Sequence, residues 1–159
     1  MSTTFQLQNN TLKELPHNIE AEQGILGAIL LNNEIFFDIS ETINIEHFYE
    51  PVHKLIFDVI GKMISKGQIA TPITLKSFFE VEKNLEEIGG SNYLVRLANS
   101  AVSLDYAKNY AHIIYNLAVR RGLYELGGKV QHDAIESEIE KKPEDLIEDC
   151  LLYTSDAAD

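Results

Sequence analysis

The amino-acid sequence predicts an all-α protein, with a compact helical bundle as its body followed by a projecting antiparallel helical hairpin. Apolar residues recur at steps of three and four along most of the 159 residues, which is the spacing of one helix face. Proline is absent from 73 to 142, so no proline interrupts the longest periodic segments. The one alternating stretch, 42–45, is too short for a strand and has no partner run.

The first helix is expected to begin after Asn18, whose side chain suits a helix N-cap. Glu20 and Glu22 follow near its positive end, and we attribute both carboxylates to helix-end electrostatics and solvation. Gly24 and Gly27 would let a neighbouring helix approach closely, because neither carries a side chain.

The clearest helix is predicted to begin at Pro51, a residue favoured in a first helical turn, and to stop at Gly67. Its apolar face comprises Val52, Leu55, Ile56, Val59, Ile60, Met63 and Ile64. Lys62 and Lys66 lie near the negative end. His53, next to Val52, is expected to pack at the rim of this helix.

Two shorter helices follow, separated by a turn at Gly89 and Gly90. We expect the first, over 74–83, to bury Leu75, Phe78 and Phe79. We expect the second to carry Leu94, Leu97, Ala98 and Ala101.

The longest periodic segment runs from Ser103 to Ser137 and carries Ala107, Ala111, Ile114 and Ala118 on one stripe. As one helix it would span about 50 Å, longer than a domain of this size is wide, so its far half should project. Gly122 and Gly127-Gly128 mark either a kink or a surface where another helix packs.

A polar loop over 138–142 and a second helix from Pro143 complete the predicted hairpin. A lone hairpin cannot bury both of its apolar faces, so we expect a second copy to cover it in a homodimer. The residues expected at this contact are Val119, Leu123, Leu126, Val130, Leu146, Ile147 and Cys150.

These predictions divide the chain into four parts. They are a flexible tail over 1–15, the helical body over 16–102, the long helix and hairpin over 103–153, and an ending over 154–159 that reads as non-native.

The charge balance argues against direct nucleic-acid binding. The chain has 25 Asp and Glu against 13 Lys and Arg, for a net charge of −12. Binding to phosphates needs several basic side chains in one place, and no basic cluster here exceeds two residues. The last 27 residues alone hold ten acids and two lysines, which gives −8.

Composition also indicates a cytoplasmic location. One cysteine cannot form a disulfide framework, so a reducing compartment is expected. No apolar run approaches the roughly 20 residues that span a bilayer, and the N-terminus has no secretory pattern.

No nucleotide-hydrolysing motif is present. Gly61-Lys62 is followed by Met63 and lies inside the clearest helix, so it is not a phosphate loop. The pair His132-Asp133 resembles the metal-binding pair of helical metal-dependent phosphohydrolases. His112, the next histidine upstream, lies 20 residues away, or about 30 Å along a continuous helix.

A set of short segments follows in a fixed order over about 15–150. The segments are Leu15-Pro16-His17-Asn18-Ile19-Glu20-Ala21-Glu22-Gln23, Ile25-Leu26-Gly27, Phe48-Tyr49, His53, Ile56-Phe57, Ile73-Thr74-Leu75, Leu85-Glu86-Glu87-Ile88-Gly89-Gly90, Tyr93-Leu94, Tyr110-Ala111 and Ile113-Ile114. This ordered set resembles the N-terminal domain of bacterial replicative DNA helicases of the DnaB family.

The resemblance implies a non-catalytic domain that pairs through its hairpin into dimers, with three dimers forming a collar in the hexameric helicase. It implies that this collar docks the C-terminal domain of primase, and Glu20, Tyr93 and Tyr124 match positions of the primase-facing surface. It places ATP, Mg²⁺ and DNA translocation in a C-terminal motor domain, which we expect this chain to lack. No cofactor is therefore expected here.

Two other interpretations stay open from the sequence alone. One is a metal-dependent phosphohydrolase that uses His132 and Asp133, and the other is a helical adaptor unrelated to replication.

Overall fold

The computed structural model describes residues 14–81, 86, 89–136 and 142–158, with side chains up to Leu152. These residues form α1 (Ile19–Leu31), α2 (Ile35–Ser40), a 3₁₀ helix (Ile45–His47), α3 (Pro51–Ser65), α4 (Pro72–Val81), α5 (Ser91–Asn99), α6 (Leu104–Glu136) and α7 (Pro143–Ala158). The described part contains no strand, which confirms the all-α prediction. None of its helices combines the length and apolarity that crossing a membrane requires.

Helix α1 lies at the centre of the body, in contact with α2, α3, α5 and α6. The Asn18 side chain accepts a hydrogen bond from the Ala21 N–H at 2.9 Å, as predicted for the cap. A Cβ atom on Gly27 would stand 2.0 Å from the Leu97 carbonyl oxygen, and one on Gly24 would touch Tyr110. The glycines therefore allow the close approach of α5 and α6 that the sequence indicated.

Helix α3 confirms the strongest prediction. It begins at Pro51, buries Ile56, Val59, Ile60 and Met63, and is followed by Gly67 at φ 71. A left-handed residue after the last turn is the usual way for a helix to stop.

Helix α4 begins at Pro72, two residues before the predicted start at 74. The Thr71 N–H donates to Thr74 Oγ1 at 2.8 Å, and the Thr74 N–H donates to Thr71 Oγ1 at 3.2 Å. This reciprocal capping places Thr74 inside the first turn. Phe79 is buried as predicted, whereas Phe78 is only partly buried. The predicted end at 83 lies outside the described residues.

Helix α5 follows Gly89 and Gly90, whose φ angles of 83° and 76° confirm the predicted turn. Leu94 and Leu97 are buried. The helix ends at Asn99, so Ala101 lies beyond it, with its backbone against Gly27.

Helix α6 is a single helix of 33 residues, or about 50 Å, so the glycines at 122, 127 and 128 do not interrupt it. Ala107, Ala111 and Ile114 belong to the core of the body. The side chains from Val119 onward are mostly exposed, so the second half projects as predicted. No described atom beyond the neighbouring backbone of α6 lies within 4 Å of a Cβ built on these glycines, so none of the described helices packs there.

Helix α7 returns along α6 and completes the hairpin. It runs past the predicted boundary at 153 and ends at Ala158. Most of the predicted loop and tail, 138–141 and 1–13, lies outside the described residues.

Candidate functional site

Two of the residues predicted to face a partner, Glu20 and Tyr93, lie on the same surface of the body. Glu20 is exposed in the first turn of α1. Gln23 lies one turn further along α1 and donates to the Tyr93 hydroxyl of α5 at 3.4 Å. Residues three apart on a helix share a face, so α1 and α5 together form one surface.

Tyr93 is half-buried and held from three sides. Its hydroxyl lies 2.5 Å from His53 Nε2, and the two rings are nearly parallel at 9°. The Arg96 guanidinium stands 5.3 Å from the ring centroid, within cation–π range. Burial raises the pKa of the Tyr93 hydroxyl, and the hydrogen bond from Gln23 opposes that rise. Its hydroxyl therefore points inward, while part of its ring stays accessible.

Behind Tyr93, Glu22 and His53 form a pair that is closed to solvent, with exposed fractions of 1% and 0%. His53 Nδ1 lies 2.5 Å from Glu22 Oε2. The same carboxylate accepts the backbone N–H groups of Tyr49 at 2.6 Å and Glu50 at 3.3 Å. Both carboxylate oxygens are thus satisfied, at the positive end of α3.

The sequence predictions for this pair are wrong, because Glu22 is not solvated and His53 is not at a rim. The signal was available in the spacing. Glu22 lies four residues before Leu26, and His53 lies three residues before Ile56, so each shares a helix face with a buried residue.

Tyr124 is 62% exposed on α6 and has no described contact with Tyr93. It lies one turn beyond Arg121, whose guanidinium donates to the Pro16 carbonyl at 2.8 Å and the His47 carbonyl at 2.7 Å. The same guanidinium stands 5.5 Å from the Tyr49 ring centroid. Arg121 thus fastens α6 to the body where the helix begins to project, a role that sequence reasoning missed.

His47 lies in the 3₁₀ helix beneath Arg121. Its Nδ1 accepts the Asn44 N–H at 3.0 Å in a reciprocal capping arrangement. Burial lowers the pKa of His47, the positive charge of Arg121 lowers it further, and Glu46 opposes both. Since Nδ1 must be unprotonated to accept this bond, the neutral ring is the form that supports the turn.

The hairpin carries the second candidate surface. A groove of about 340 Å³ lies between α6 and α7. Of the residues predicted at the dimer contact, Leu126, Val130, Leu146, Ile147 and Cys150 line it. The other two, Val119 and Leu123, precede the groove on α6 and are 39% and 59% exposed.

The described residues bring no metal site together. Among them, no group of three or more His, Cys, Asp or Glu converges on a point where an ion could bind. His112 and His132 belong to the same uninterrupted helix, which separates them by about 30 Å.

A family model described as "DnaB-like helicase N terminal domain" matches residues 14–116. The chain belongs to this family. The resemblance noted from the sequence is therefore confirmed, and the interpretations as an unrelated adaptor or a phosphohydrolase are wrong. Residues 14–116 of the chain form a DnaB-like helicase N-terminal domain.

Curated relatives agree with this assignment. The chain is 42% identical over 134 residues to the replicative DNA helicase DnaB of Rickettsia felis, and these residues are 84% of the chain and 27% of the relative. It is 35% identical over 123 residues to that of Buchnera aphidicola, over 77% of the chain and 27% of the relative. The chain thus spans about a quarter of the length of the relatives it matches.

Solved structures share the fold. The N-terminal domain of DnaB helicase from Mycobacterium tuberculosis superposes with a TM-score of 0.82 at 26% identity, over 90% of this chain and 99% of that one. A second structure is described as that of a DnaB-like replicative helicase and its interactions with primase. It superposes with a TM-score of 0.67 at 22% identity, over 88% of this chain and 31% of that one.

We predict that Glu22→Ala destabilises the domain by about 3–5 kcal/mol, because it leaves the buried His53 and two backbone N–H groups without their acceptor. Glu20→Ala, two residues earlier and exposed, should change the free energy of unfolding by less than about 1 kcal/mol. Urea unfolding of both variants measures the difference. Equal effects of the two substitutions on the free energy of unfolding would contradict the claim that the buried pair of Glu22 and His53 stabilises the domain.

We predict that His47 makes stability fall as the solution is acidified. The pKa of His47 is lower in the folded state, so the unfolded chain binds its proton first. The contribution is complete above the unfolded pKa of about 6.5 and is lost as the pH falls from there towards the folded pKa. His47→Gln keeps an acceptor but does not titrate, and it should flatten the change in melting temperature between about pH 7.5 and pH 5.5. His112→Gln, exposed on α6, is the control, and equal profiles for wild type and His47→Gln would refute the assignment.

Proposed function

We propose that this domain is a non-catalytic assembly and docking module of the helicase. It pairs with a second copy through the α6–α7 hairpin and contributes to a hexameric collar in the full-length protein. The surface around Glu20 and Tyr93 binds the C-terminal domain of primase. The observation that carries the proposal is the apolar hairpin, which extends from a body that already buries its own core.

Dimerisation is supported by where the stripe on α6 points. Ala107, Ala111 and Ile114 of the first stripe are buried in the body, but a second stripe begins at Val119, one residue after Ala118. One residue turns a helix by about 100°, so the second stripe faces away from the body. Monomers rarely expose long apolar stripes, and a two-fold axis would place the same stripe of a second copy against it.

Primase docking is supported by the chemistry of the body surface. An aromatic ring under an arginine, beside an exposed carboxylate, has the composition of a protein-binding anchor. The described DnaB-like helicase of the same fold interacts with primase, and we extend that partner to this domain. Tyr124, near the junction of body and hairpin, belongs to the same surface in this proposal.

In this proposal DNA and nucleotide bind to other parts of the helicase and not to this domain. With a net charge of −12, it would repel phosphate backbones. ATP hydrolysis with Mg²⁺ and translocation along DNA, which we propose for the whole protein, belong to its motor.

The dimer is tested by light scattering at tens of micromolar. The wild-type chain should have twice the 17.9 kDa monomer mass. Leu123→Asp places a charge in the exposed stripe without touching the groove, and it should give a monomer that keeps its helical circular dichroism. Ile135→Asp is the matched control, because Ile135 is 79% exposed on the same helix but about 120° around its axis from Leu123. A monomeric wild type would refute the hairpin dimer.

Docking is tested by calorimetric titration with the cognate primase C-terminal domain. Tyr93→Ala should weaken binding at least tenfold, as expected of an aromatic anchor. Tyr106→Ala removes a tyrosine that is 61% exposed on α6 and should leave affinity unchanged. Single-stranded DNA should not bind. Equal affinity of wild type and Tyr93→Ala would contradict the assigned surface.

A further inference from the structure

Tyr93 differs from an ordinary surface anchor because its hydroxyl is fully engaged on the inside of the molecule. The hydroxyl faces His53 Nε2 at 2.5 Å and accepts from Gln23 Nε2 at 3.4 Å. Among the described residues, no hydrogen bond joins the Tyr93 hydroxyl to an exposed group on the outer surface. The docking surface thus rests on a buried hydrogen-bond chain, which runs from Glu22 through His53 to Tyr93.

Glu22 fixes the inner end of this chain. Its carboxylate already accepts two backbone N–H groups, so His53 Nδ1 donates to it. The other ring nitrogen, Nε2, lies 2.5 Å from the Tyr93 hydroxyl and shares a hydrogen bond with it. With Gln23 donating to the same oxygen, the Tyr93 hydroxyl has two hydrogen-bond partners, and both fix the ring.

We propose that His53, oriented by Glu22, is a positioning residue for partner docking, which holds the Tyr93 ring in the conformation that receives the primase domain. This inference rests on the proposed docking function and extends it from the surface to the core. His53 itself is inaccessible to a partner, since its exposed fraction is 0%.

The physical gain is preorganisation. Helix α5 has nine residues and follows two glycines with positive φ, so helix length alone gives little rigidity at this site. Ordering a free side chain on binding lowers affinity by roughly two- to tenfold. A ring already fixed by His53 and covered by Arg96 avoids that loss.

The test is a double-mutant cycle measured as affinity for the cognate primase C-terminal domain. Tyr93→Phe removes only the hydroxyl and keeps the ring, so it leaves the buried pair of Glu22 and His53 in place. His53→Gln removes the imidazole from the other end of the bond. Each single variant should weaken binding about five- to tenfold, the range of one hydrogen bond. The double variant should be no weaker than either single one, because both break the same chain.

Three results would overturn the proposal. Tyr93→Phe binding like wild type while Tyr93→Ala binds weakly would show an anchor that needs no positioning. Additive losses in the double variant would show that His53 and Tyr93 act separately. Tyr93→Ala binding like wild type would remove the docking assignment itself, and this inference with it. The first two results leave the proposed function standing.

A structural readout separates positioning from general stability. Carbon relaxation of the Tyr93 ring should show a rigid ring in the wild type and a lower order parameter in His53→Gln. Ile39→Val is the control, because it shortens a fully buried side chain of α2 that has no described hydrogen bond to Glu22, His53 or Tyr93. It should lower stability while leaving both the ring order and the affinity unchanged. Should His53→Gln fail to fold, the proposal is still tested by comparing the affinities of Tyr93→Phe and Tyr93→Ala for the primase domain.

Discussion

The buried Glu22 carboxylate is the interaction on which the body of the domain depends. A carboxylate with 1% exposure is tolerated only where hydrogen-bond donors replace the water it has lost. Here the donors come from the backbone of Tyr49 and Glu50 and from the ring of His53. Losing a partner of a buried pair costs about 3–5 kcal/mol, a large share of the roughly 5–15 kcal/mol that stabilises a domain. One side chain of α1 thereby fixes the start of α3 and, through His53, contacts the Tyr93 side chain of α5.

The second constraint is the junction between body and hairpin. Arg121 holds the Pro16 and His47 carbonyls, so the middle of α6 is tied to the segment before α1 and to the 3₁₀ helix. Beyond that point the helix extends without support from the body. The domain thereby separates its two proposed tasks, with docking on the body around Tyr93 and pairing on the hairpin. Helix α6 runs without interruption from the body into the hairpin.

Regular elements were predictable from the sequence wherever a local rule decides them. Asn18, Pro51 and Gly67 mark helix ends through chemistry within one turn, and all three predictions are confirmed. The start of α4 was misplaced, because the pair of Thr71 and Thr74 forms a cap that was not recognised.

The polar centre was not predicted, because its bonds join residues far apart in the chain. Glu22 and His53 are separated by 31 positions, and His53 and Tyr93 by 40. Periodicity reports which face of a helix is buried but not which distant group neutralises a polar side chain there. The prediction that Glu22 is solvated followed from its charge and ignored its position on the buried face of α1. Tyr93, assigned to the primase-facing surface by resemblance, acquires its hydrogen-bond partners only in the folded structure.

The most direct test of the central role of Glu22 is native-state hydrogen exchange at the Tyr49 amide. This amide lies outside any helix, so only its bond to the buried carboxylate can protect it. We expect the Tyr49 amide to exchange with the same opening free energy as the core amides of α3, such as that of Ile60, and far more slowly than the Asn44 amide, which binds the half-buried His47 ring. Exchange of the Tyr49 amide at the rate of the Asn44 amide would contradict the central role of the buried Glu22 carboxylate.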